Sequence, residues 1–268
     1  MKDTTKLYSA VTGKPFVTIK DFLKYYSDCY YIQTSQWVEK QIDKLLKKDH
    51  LTEEELFNIL AWKTNRLNHQ KSEFTKSFVY TESSDKNSKG WTFDEKSETA
   101  IAVTRRTIDN LYPFLKFISN ELNTGEDSDE LLKQLNEKSP DGIGTVYLIT
   151  FLYFITCGEE PIYDVFAMAA LDAIYPDESK TESLALGSYV KMRELPPKND
   201  NAFLNLLNAE KIGRNKSKYI IYKEKLNRFM EEINEEREKN GEDPIKYKEC
   251  RDIDRALWGY GHLFRGKE

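Results

Sequence analysis

A Gly-x-Gly hairpin between two predicted helices is the first feature of this sequence that could do chemistry. It reads Pro140-Asp141-Gly142-Ile143-Gly144, and a long apolar helix is predicted to follow it. The glycines permit a tight backbone and leave room for a close neighbour, and the next helix begins with N–H groups that lack intrahelical partners. These groups and the positive end of the helix dipole can hold a phosphate without lysine or arginine.

Carboxylates are the best candidates for reactive groups, because cysteines and histidines are few. The three cysteines lie far apart and are odd in number, which argues against a zinc clamp, an iron–sulfur cluster and a disulfide framework. Three histidines argue against a multi-histidine metal centre and leave few candidates for the base of a Ser/His/Asp triad. Among the carboxylates, Asp164 follows a proline-marked loop at the start of a predicted helix, a position that also suits a plain helix cap.

Local positive charge occurs in this chain despite its net charge of −5. Between Lys211 and Arg228, seven lysines and arginines are opposed by Glu224 alone. A run of this kind is usually a solvated helix face, but on an acidic protein it is also the best candidate for phosphate contacts outside the hairpin. We give the two interpretations equal weight, and the residues singled out for DNA contact are Lys216 and Lys218.

The composition is typical of a globular protein with one large domain or two modest ones. Of the 268 residues, 39% are hydrophobic and 32% are charged. The longest apolar stretch, Val146 to Cys157, is shorter than the roughly 20 residues that cross a bilayer, so it predicts a buried helix. No secretion signal is visible in residues 1–30, and we expect a cytoplasmic protein without a membrane partner.

Helical periodicity dominates the chain, so we predict an all-α fold with two packed lobes. A capping box from Thr52 to Glu55 marks one helix start. A short strand is predicted at Pro15 to Ile19, and the polar residues 68–97 are predicted as a long ordered loop. Other helices are predicted from Thr34, over Ala100–Leu122, after Asp127 as a cap, and over Val146–Cys157, Asp164–Ile174, Phe203–Lys211, Lys218–Arg237 and Ile253–Phe264.

The spacing between the hairpin and Asp164 resembles that of the helix-hairpin-helix (HhH-GPD) superfamily of base-excision DNA glycosylases, which includes endonuclease III, the adenine-mismatch glycosylases and 8-oxoguanine glycosylase. The family hairpin reads Leu-Pro-Gly-Val-Gly, and an essential aspartate follows its second glycine by twenty residues. In this chain Asp164 follows Gly144 by twenty residues and stands directly after Tyr163. The resemblance covers about Glu54 to Leu171. It implies domains at 1–50, 51–174 and 175–268, with the glycosylase core in the middle.

The resemblance also implies roles for individual residues. Asp164 would be the catalytic carboxylate, and the C-terminal helix would return to the base pocket. The alternatives are a plain helix cap at Asp164, a simple helix–helix turn at the glycines, an ordinary helix C-terminus at Lys63 to Asn65, and core packing for the C-terminal aromatic residues. The implied DNA contacts are Gly142, Ile143, Gly144 and Thr145 in the hairpin and Lys63, Thr64 and Asn65 in a wedge, and the implied pocket residues are Trp258, Tyr260 and Phe264.

The chain departs from the family pattern at several positions. Val146 stands where strand-cutting members carry a lysine, so the amine nucleophile is missing. Ala169 replaces an arginine of many members, Asp141 replaces the hairpin proline, and the family's four-cysteine cluster is absent from the sequence. We therefore expect no cofactor and no iron–sulfur cluster, and the one ion for which the resemblance leaves room is a monovalent cation at the hairpin carbonyls.

We therefore predict a monofunctional hydrolase in DNA repair. It would flip a damaged, mismatched or modified base out of DNA and cleave the N-glycosidic bond. The expected partner is duplex DNA, and the expected oligomeric state is a monomer. The alternatives are a non-catalytic helix-hairpin-helix DNA-binding protein and an unrelated helical interaction domain.

Overall fold

The computed structural model describes residues 7–9, 12–33, 36–63, 78–82, 89–93, 111–121, 127–140, 143–175 and 218–263. These residues are mostly helical, which confirms the predicted all-α character at that level. The helices are α1 (Ile19–Gln33), α2 (Gln36–Leu45), α3 (Glu53–Lys63), α4 (Leu111–Glu121), α5 (Ser128–Lys138), α6 (Thr145–Ile155), α7 (Val165–Ile174), α8 (Lys218–Lys239) and α9 (Arg251–Gly261), with a short 3-10 helix at Tyr247–Glu249.

The chain divides into two compact units. The terminal unit consists of Met1–Gln33 and Tyr163–Glu268, and the central unit consists of Thr34–Ile162. Gly144 therefore belongs to the central unit and Asp164 to the terminal unit. The domain boundaries predicted after residues 50 and 174 rest on the family resemblance and stay a prediction.

Helix α1 is an element that the sequence analysis did not identify. Thr18 caps it, since its hydroxyl accepts from the Asp21 N–H at 3.0 Å. Phe22, Tyr26 and Tyr30 then recur at helical spacing and are buried. The predicted strand at Pro15–Ile19 is wrong, because Ile19 already begins α1 and Pro15 takes part only in an isolated bridge with Tyr8.

Helix α9 packs between α1 and α7 in the core of the terminal unit. The Tyr260 ring lies 5.1 Å from that of Phe22 and 4.9 Å from that of Tyr26, measured between centroids. Glycine is needed at position 259, because a Cβ there would lie 2.8 Å from the Tyr26 carbonyl oxygen. Because glycine has no side chain, α9 approaches α1 closely enough for the large aromatic rings of the two helices to pack against each other.

The central unit follows the predicted helix signals closely. The capping box is present, with the Thr52 N–H donating to Glu55 at 3.0 Å and the Glu55 N–H donating to Thr52 at 3.3 Å. Asp127 caps α5 by accepting from the Asp129 N–H at 2.8 Å. The apolar residues Leu56, Phe57, Ile59 and Leu60 of α3 are all buried, as are most residues of the apolar helix α6. Local signals were sufficient here because caps and periodicity act within a few turns.

Residues 68–97 contain an antiparallel β-hairpin instead of the predicted long loop. Strand β1 (Phe78–Glu82) pairs with β2 (Lys89–Phe93), with Phe78 opposite Phe93 and Glu82 opposite Lys89. The aromatic and β-branched residues of these segments favour a strand pair over a loop. The predicted helix at Phe203–Lys211 and residues 100–110 of the predicted helix Ala100–Leu122 lie outside the described residues.

Candidate active site

Asp164 is the N-cap of α7. Its backbone is extended, with φ −138° and ψ 142°, and its Oδ1 accepts a hydrogen bond from the Phe166 N–H at 2.8 Å. The side chain is half-buried. The geometry therefore confirms that Asp164 caps the helix, and it places a carboxylate at the positive end of the α7 dipole.

A partly exposed aromatic stack stands beside this cap. The Phe166 ring lies 3.6 Å from the His262 ring in a stacked arrangement, and His262 lies 3.7 Å from Trp258. All three side chains are half-exposed. The Nδ1 of His262 lies 2.8 Å from the Trp258 carbonyl oxygen. Because a carbonyl oxygen only accepts, Nδ1 carries the proton in this hydrogen bond, and the ring is held in one orientation.

Helix α9 reaches this stack because it ends in a glycine. A Cβ at Gly261 would lie 1.8 Å from the Phe166 carbonyl oxygen, so no larger residue fits without moving α7. Trp258 and His262 are four residues apart and share one face of the helix. That face carries the rings to the first turn of α7, directly after Asp164.

A buried tyrosine from α8 packs against Tyr163, the residue before Asp164. Tyr222 is fully buried, and its ring centroid lies 5.2 Å from that of Tyr163. Burial raises the pKa of Tyr222 well above its usual value, and the negative charges of Asp254 and Asp164 raise it further. Tyr222 is therefore a neutral phenol.

The hairpin lies at the start of α6 in the central unit. Ile143 and Thr145 are buried, so of these two predicted DNA contacts only the backbone is suited to touch a ligand. Gly144 is exposed, and a Cβ built on it would meet no atom within 4 Å. The N-cap residue of α6 is Gly144, which has no side chain that could cap the helix. The chain's own packing thus does not require glycine at position 144, and the glycine keeps the N-terminus of α6 accessible.

At two hairpin carbonyls, the cation that the resemblance allows would compete with backbone hydrogen bonds. The Gly144 carbonyl accepts from the Tyr147 N–H at 2.9 Å and from the Leu148 N–H at 3.3 Å, and the Pro140 carbonyl accepts from the Ile143 N–H at 3.2 Å. These oxygens are therefore already used by the protein backbone. We derive no step through a cation at this position.

The structure separates the remaining predicted site residues. Trp258 belongs to the stack beside Asp164, but Tyr260 is only 2% exposed and lies in the core, which corrects its assignment to the base pocket. Two residues along a helix turn the side chain by about 200°, so these two side chains point to opposite sides. Lys63 ends α3 and Lys218 begins α8. The predicted residues outside the described part of the chain are Gly142, Thr64, Asn65, Lys216 and Phe264.

The described part of the basic run makes contacts within its own unit. Lys225 forms an ion pair with Asp172 of α7. The Arg228 guanidinium lies 4.5 Å from the Tyr175 ring centroid and 3.8 Å from the Glu232 carboxylate. These residues help to hold α8 on α7, so phosphate contacts are better sought in the earlier part of the run.

Sequence reasoning missed Phe166, His262 and Tyr222 as members of this neighbourhood. The i, i+4 spacing of Trp258 and His262 is the signal that could have paired these two residues. Phe166 directly follows the Asp164-Val165 pair, so the sequence also indicates that Phe166 lies close to the Asp164 carboxylate. Nothing in the sequence indicates that Tyr222 approaches Asp164, because the two residues are far apart in the chain.

Other features of the described residues lie apart from Asp164. A cavity of about 470 Å³ in the terminal unit is lined by α1 and α8 residues, including Lys20, Lys24, Glu236 and Arg237.

Cys29, Cys157 and Cys250 are free thiols. In the described ranges, no three His, Cys, Asp or Glu side chains come together in a way that could hold a metal ion. A search of the same ranges finds no helix with the length and hydropathy needed to cross a membrane.

Comparison with known proteins gives no independent assignment, since no family model, curated protein or solved structure matches this chain.

Proposed function

We propose that this protein is a monofunctional DNA glycosylase that removes a damaged, mismatched or modified base. The observation that carries the proposal is Asp164, which follows Gly144 by twenty residues and caps α7 beside a half-exposed aromatic stack. The spacing between Gly144 and Asp164 is a property of the sequence. The aromatic stack next to Asp164 is a separate observation, because that spacing does not require aromatic residues there.

Asp164 supplies the charge that this reaction needs. Breaking an N-glycosidic bond builds positive charge on the sugar, and an ionised carboxylate stabilises that oxocarbenium-like state. The oxygen of a water molecule forms the new bond to the anomeric carbon, and the electron pair of the broken C–N bond leaves with the base. The water proton passes to the Asp164 carboxylate and then to solvent or to the departing base, so the products are a free base and an abasic site.

The aromatic stack supplies a surface for a base that has left the duplex. Flipped bases are commonly held between aromatic or apolar side chains, which compensate for the lost stacking in DNA. Phe166, Trp258 and His262 are half-exposed and directly adjoin the Asp164 cap. We assign the pocket wall to these residues in place of Tyr260.

The hairpin supplies a backbone site for the DNA phosphates. Gly144 is exposed and carries no side chain over the N-terminus of α6. Backbone N–H groups at a helix N-terminus bind phosphate through their hydrogen bonds and the helix dipole. Contacts of this type are independent of base sequence, so they suit an enzyme that must search along duplex DNA.

A non-catalytic helix-hairpin-helix DNA-binding protein is the second candidate. The observation that favours it is the hydrogen bond from the Phe166 N–H to Asp164 Oδ1, because this bond explains the aspartate without any reaction. An N-cap carboxylate can also act in catalysis, so the two functions differ in whether a base is released and not in the fold.

A base-release assay separates the two functions. The protein is incubated with a panel of duplexes that each carry one damaged, mismatched or modified base, and alkali then cuts any abasic site. Cleavage of at least one duplex that is absent with Asp164→Asn supports the glycosylase. If no duplex is cut although the protein binds DNA, the non-catalytic function replaces it.

A further inference from the structure

The cavity of about 470 Å³ in the terminal unit is lined by one face of α1, the end of α8 and the residues that lead into α9. Its volume falls within the range of about 300–1,000 Å³ that is typical of small-molecule sites. Ile19 and Ile233 form buried parts of the wall, and Leu23 and Ile245 add further apolar surface. The cavity therefore has an apolar part against which the hydrocarbon portion of a ligand can pack.

The charged side chains of this cavity balance one another. Four of them are cationic and four are anionic, namely Lys20, Lys24, Arg237 and Arg255 against Asp28, Glu236, Glu242 and Asp252. A ligand with a net charge would add an uncompensated charge to this partly enclosed site, which is costly. The balance therefore favours a ligand without net charge.

Two of the carboxylates hold α1 to the end of α8. Glu236 accepts hydrogen bonds from the Ile19 N–H at 2.8 Å and from the Lys20 N–H at 3.2 Å, so it caps the start of α1. The Glu242 carboxylate lies 3.0 Å from the Lys20 ammonium and 2.8 Å from the Arg237 guanidinium. These groups are already used by the fold and shape the cavity wall.

A third carboxylate joins α1 to α9. Asp252 Oδ1 accepts from the hydroxyl of the buried Ser27 at 2.9 Å and from Arg255 at 3.2 Å. The Arg255 side chain is only 6% exposed, and its guanidinium lies 5.2 Å from the Tyr31 ring centroid. This part of the wall is therefore fixed by packing before any ligand binds.

Lys24 and Asp28 are the remaining charges of the cavity. Both are exposed on α1, and in the part of the chain that the structure describes no hydrogen bond or ion pair joins either side chain to another group. They stand four residues apart on one face of the helix, about 6 Å along its axis. A cation placed before the anion is the less favourable order for an ion pair at this spacing, so both charges are open to a ligand.

We propose that this cavity binds a small zwitterion of about the length of a dipeptide, with its anionic group at Lys24 and its cationic group at Asp28. Each residue extends a peptide by about 3.3–3.6 Å, so the two termini of a dipeptide suit charges one helical turn apart. The apolar side chains of such a ligand pack against Ile19 and Leu23. The site belongs to the terminal unit and goes beyond the proposed base release, on which it does not depend.

Calorimetric titration of the full chain with leucyl-leucine at pH 7 tests this site. N-acetyl-leucyl-leucine keeps only the carboxylate, and leucyl-leucine amide keeps only the ammonium group. We expect leucyl-leucine to bind with a Kd of about 1 mM or lower. Each matched ligand should bind about 5-fold more weakly, because it loses one charged contact near the surface. Free leucine, in which both charges flank one Cα, should also bind more weakly than the dipeptide.

The outcomes that contradict the proposal are distinct. Absence of binding at about 10 mM leucyl-leucine overturns the site. Equal affinities for the dipeptide and its two singly charged forms overturn the recognition of a zwitterion. Leucine that binds as tightly as leucyl-leucine overturns the match to a dipeptide. None of these ligands contains a nucleobase, so the result is independent of whether the protein releases a base from DNA.

Two variants identify which charge contacts which end of the ligand. Lys24→Gln should lower the affinity for leucyl-leucine about 5-fold and leave that for leucyl-leucine amide unchanged, since the amide has no carboxylate. Asp28→Asn should likewise weaken leucyl-leucine and leave N-acetyl-leucyl-leucine unchanged. Lys40→Gln is the matched control, because Lys40 is an exposed lysine of α2 in the central unit and should affect no ligand. Wild-type affinity for leucyl-leucine in both Lys24→Gln and Asp28→Asn overturns the assignment of these two residues.

Discussion

The carbonyl oxygen of Phe166 lies where the first atom of any side chain at position 261 would have to stand. A Cβ on Gly261 would be 1.8 Å from that oxygen and 3.0 Å from the Phe166 Cα. This close approach joins the end of α9 to the start of α7. It therefore places His262 on the Phe166 ring and Trp258 beside it.

Gly261→Ala should destabilise the terminal unit and separate the stack from Asp164. The new methyl group meets backbone and not a flexible side chain, so α9 must shift, at a cost of about 1–3 kcal/mol. Urea unfolding gives the stability. Gly144→Ala is the control, because its Cβ meets nothing within 4 Å and should cost no more than about 1 kcal/mol. Equal stabilities for Gly261→Ala and the wild-type protein would contradict the close approach.

Asp164→Asn should keep the fold and lose base release. Asparagine caps helices as well as aspartate does, but it has no charge to offset the developing cation. We expect a rate lower by about 100- to 1000-fold and DNA affinity close to that of the wild-type protein. Asp164→Ala should also lose the cap and about 1 kcal/mol of stability.

Asp127→Asn is the matched control for this substitution, since Asp127 caps α5 through the same type of hydrogen bond. It should leave base release unchanged. A fully active Asp164→Asn variant would remove the catalytic assignment, and an unfolded one would show that the carboxylate charge is needed for the helix itself.

Base release should leave the DNA strand intact, with an abasic site that is cut only after alkali. Val146 is a hydrocarbon at the position where, by the resemblance, strand-cutting helix-hairpin-helix glycosylases carry a lysine, and it cannot form a Schiff base with the sugar. Borohydride added during turnover is the measurement, with a strand-cutting glycosylase as the positive control for trapping. A covalent adduct between this protein and DNA would show that another amine attacks the sugar.

DNA binding should be electrostatic and local. The early part of the basic run, which contains Lys216 and Lys218, stands before the residues of α8 that pair within the terminal unit. Reversing both lysines to glutamate should weaken binding to all duplex sequences alike and make the dependence on salt less steep. Lys225→Glu is the contrasting variant, since it breaks the pair with Asp172 and should lower stability instead. Unchanged affinity after reversal at 216 and 218 would place the phosphate contacts elsewhere.

The helix starts and the buried face of α3 could be predicted from the sequence because they depend on neighbouring residues. Thr52 with Glu55, and Asp127 with Asp129, form hydrogen bonds over two or three residues, so the signal and its partner stand side by side. The same is true of Asp164, whose cap is local. Helix α1 was not predicted, although its buried residues recur at helical spacing, because clustered tyrosines also favour strands.

Only the tertiary structure decided which aromatic side chains surround Asp164. Trp258 and Tyr260 are equally plausible in the sequence, but the close approach at Gly261 turns Trp258 towards α7 and Tyr260 into the core against α1. Tyr222 of α8 packs against Tyr163, the residue before Asp164, although it stands more than fifty residues further along the chain. Periodicity in the sequence indicates which residues share a face of one helix. Which other helix packs against that face depends on contacts between helices that are distant in sequence.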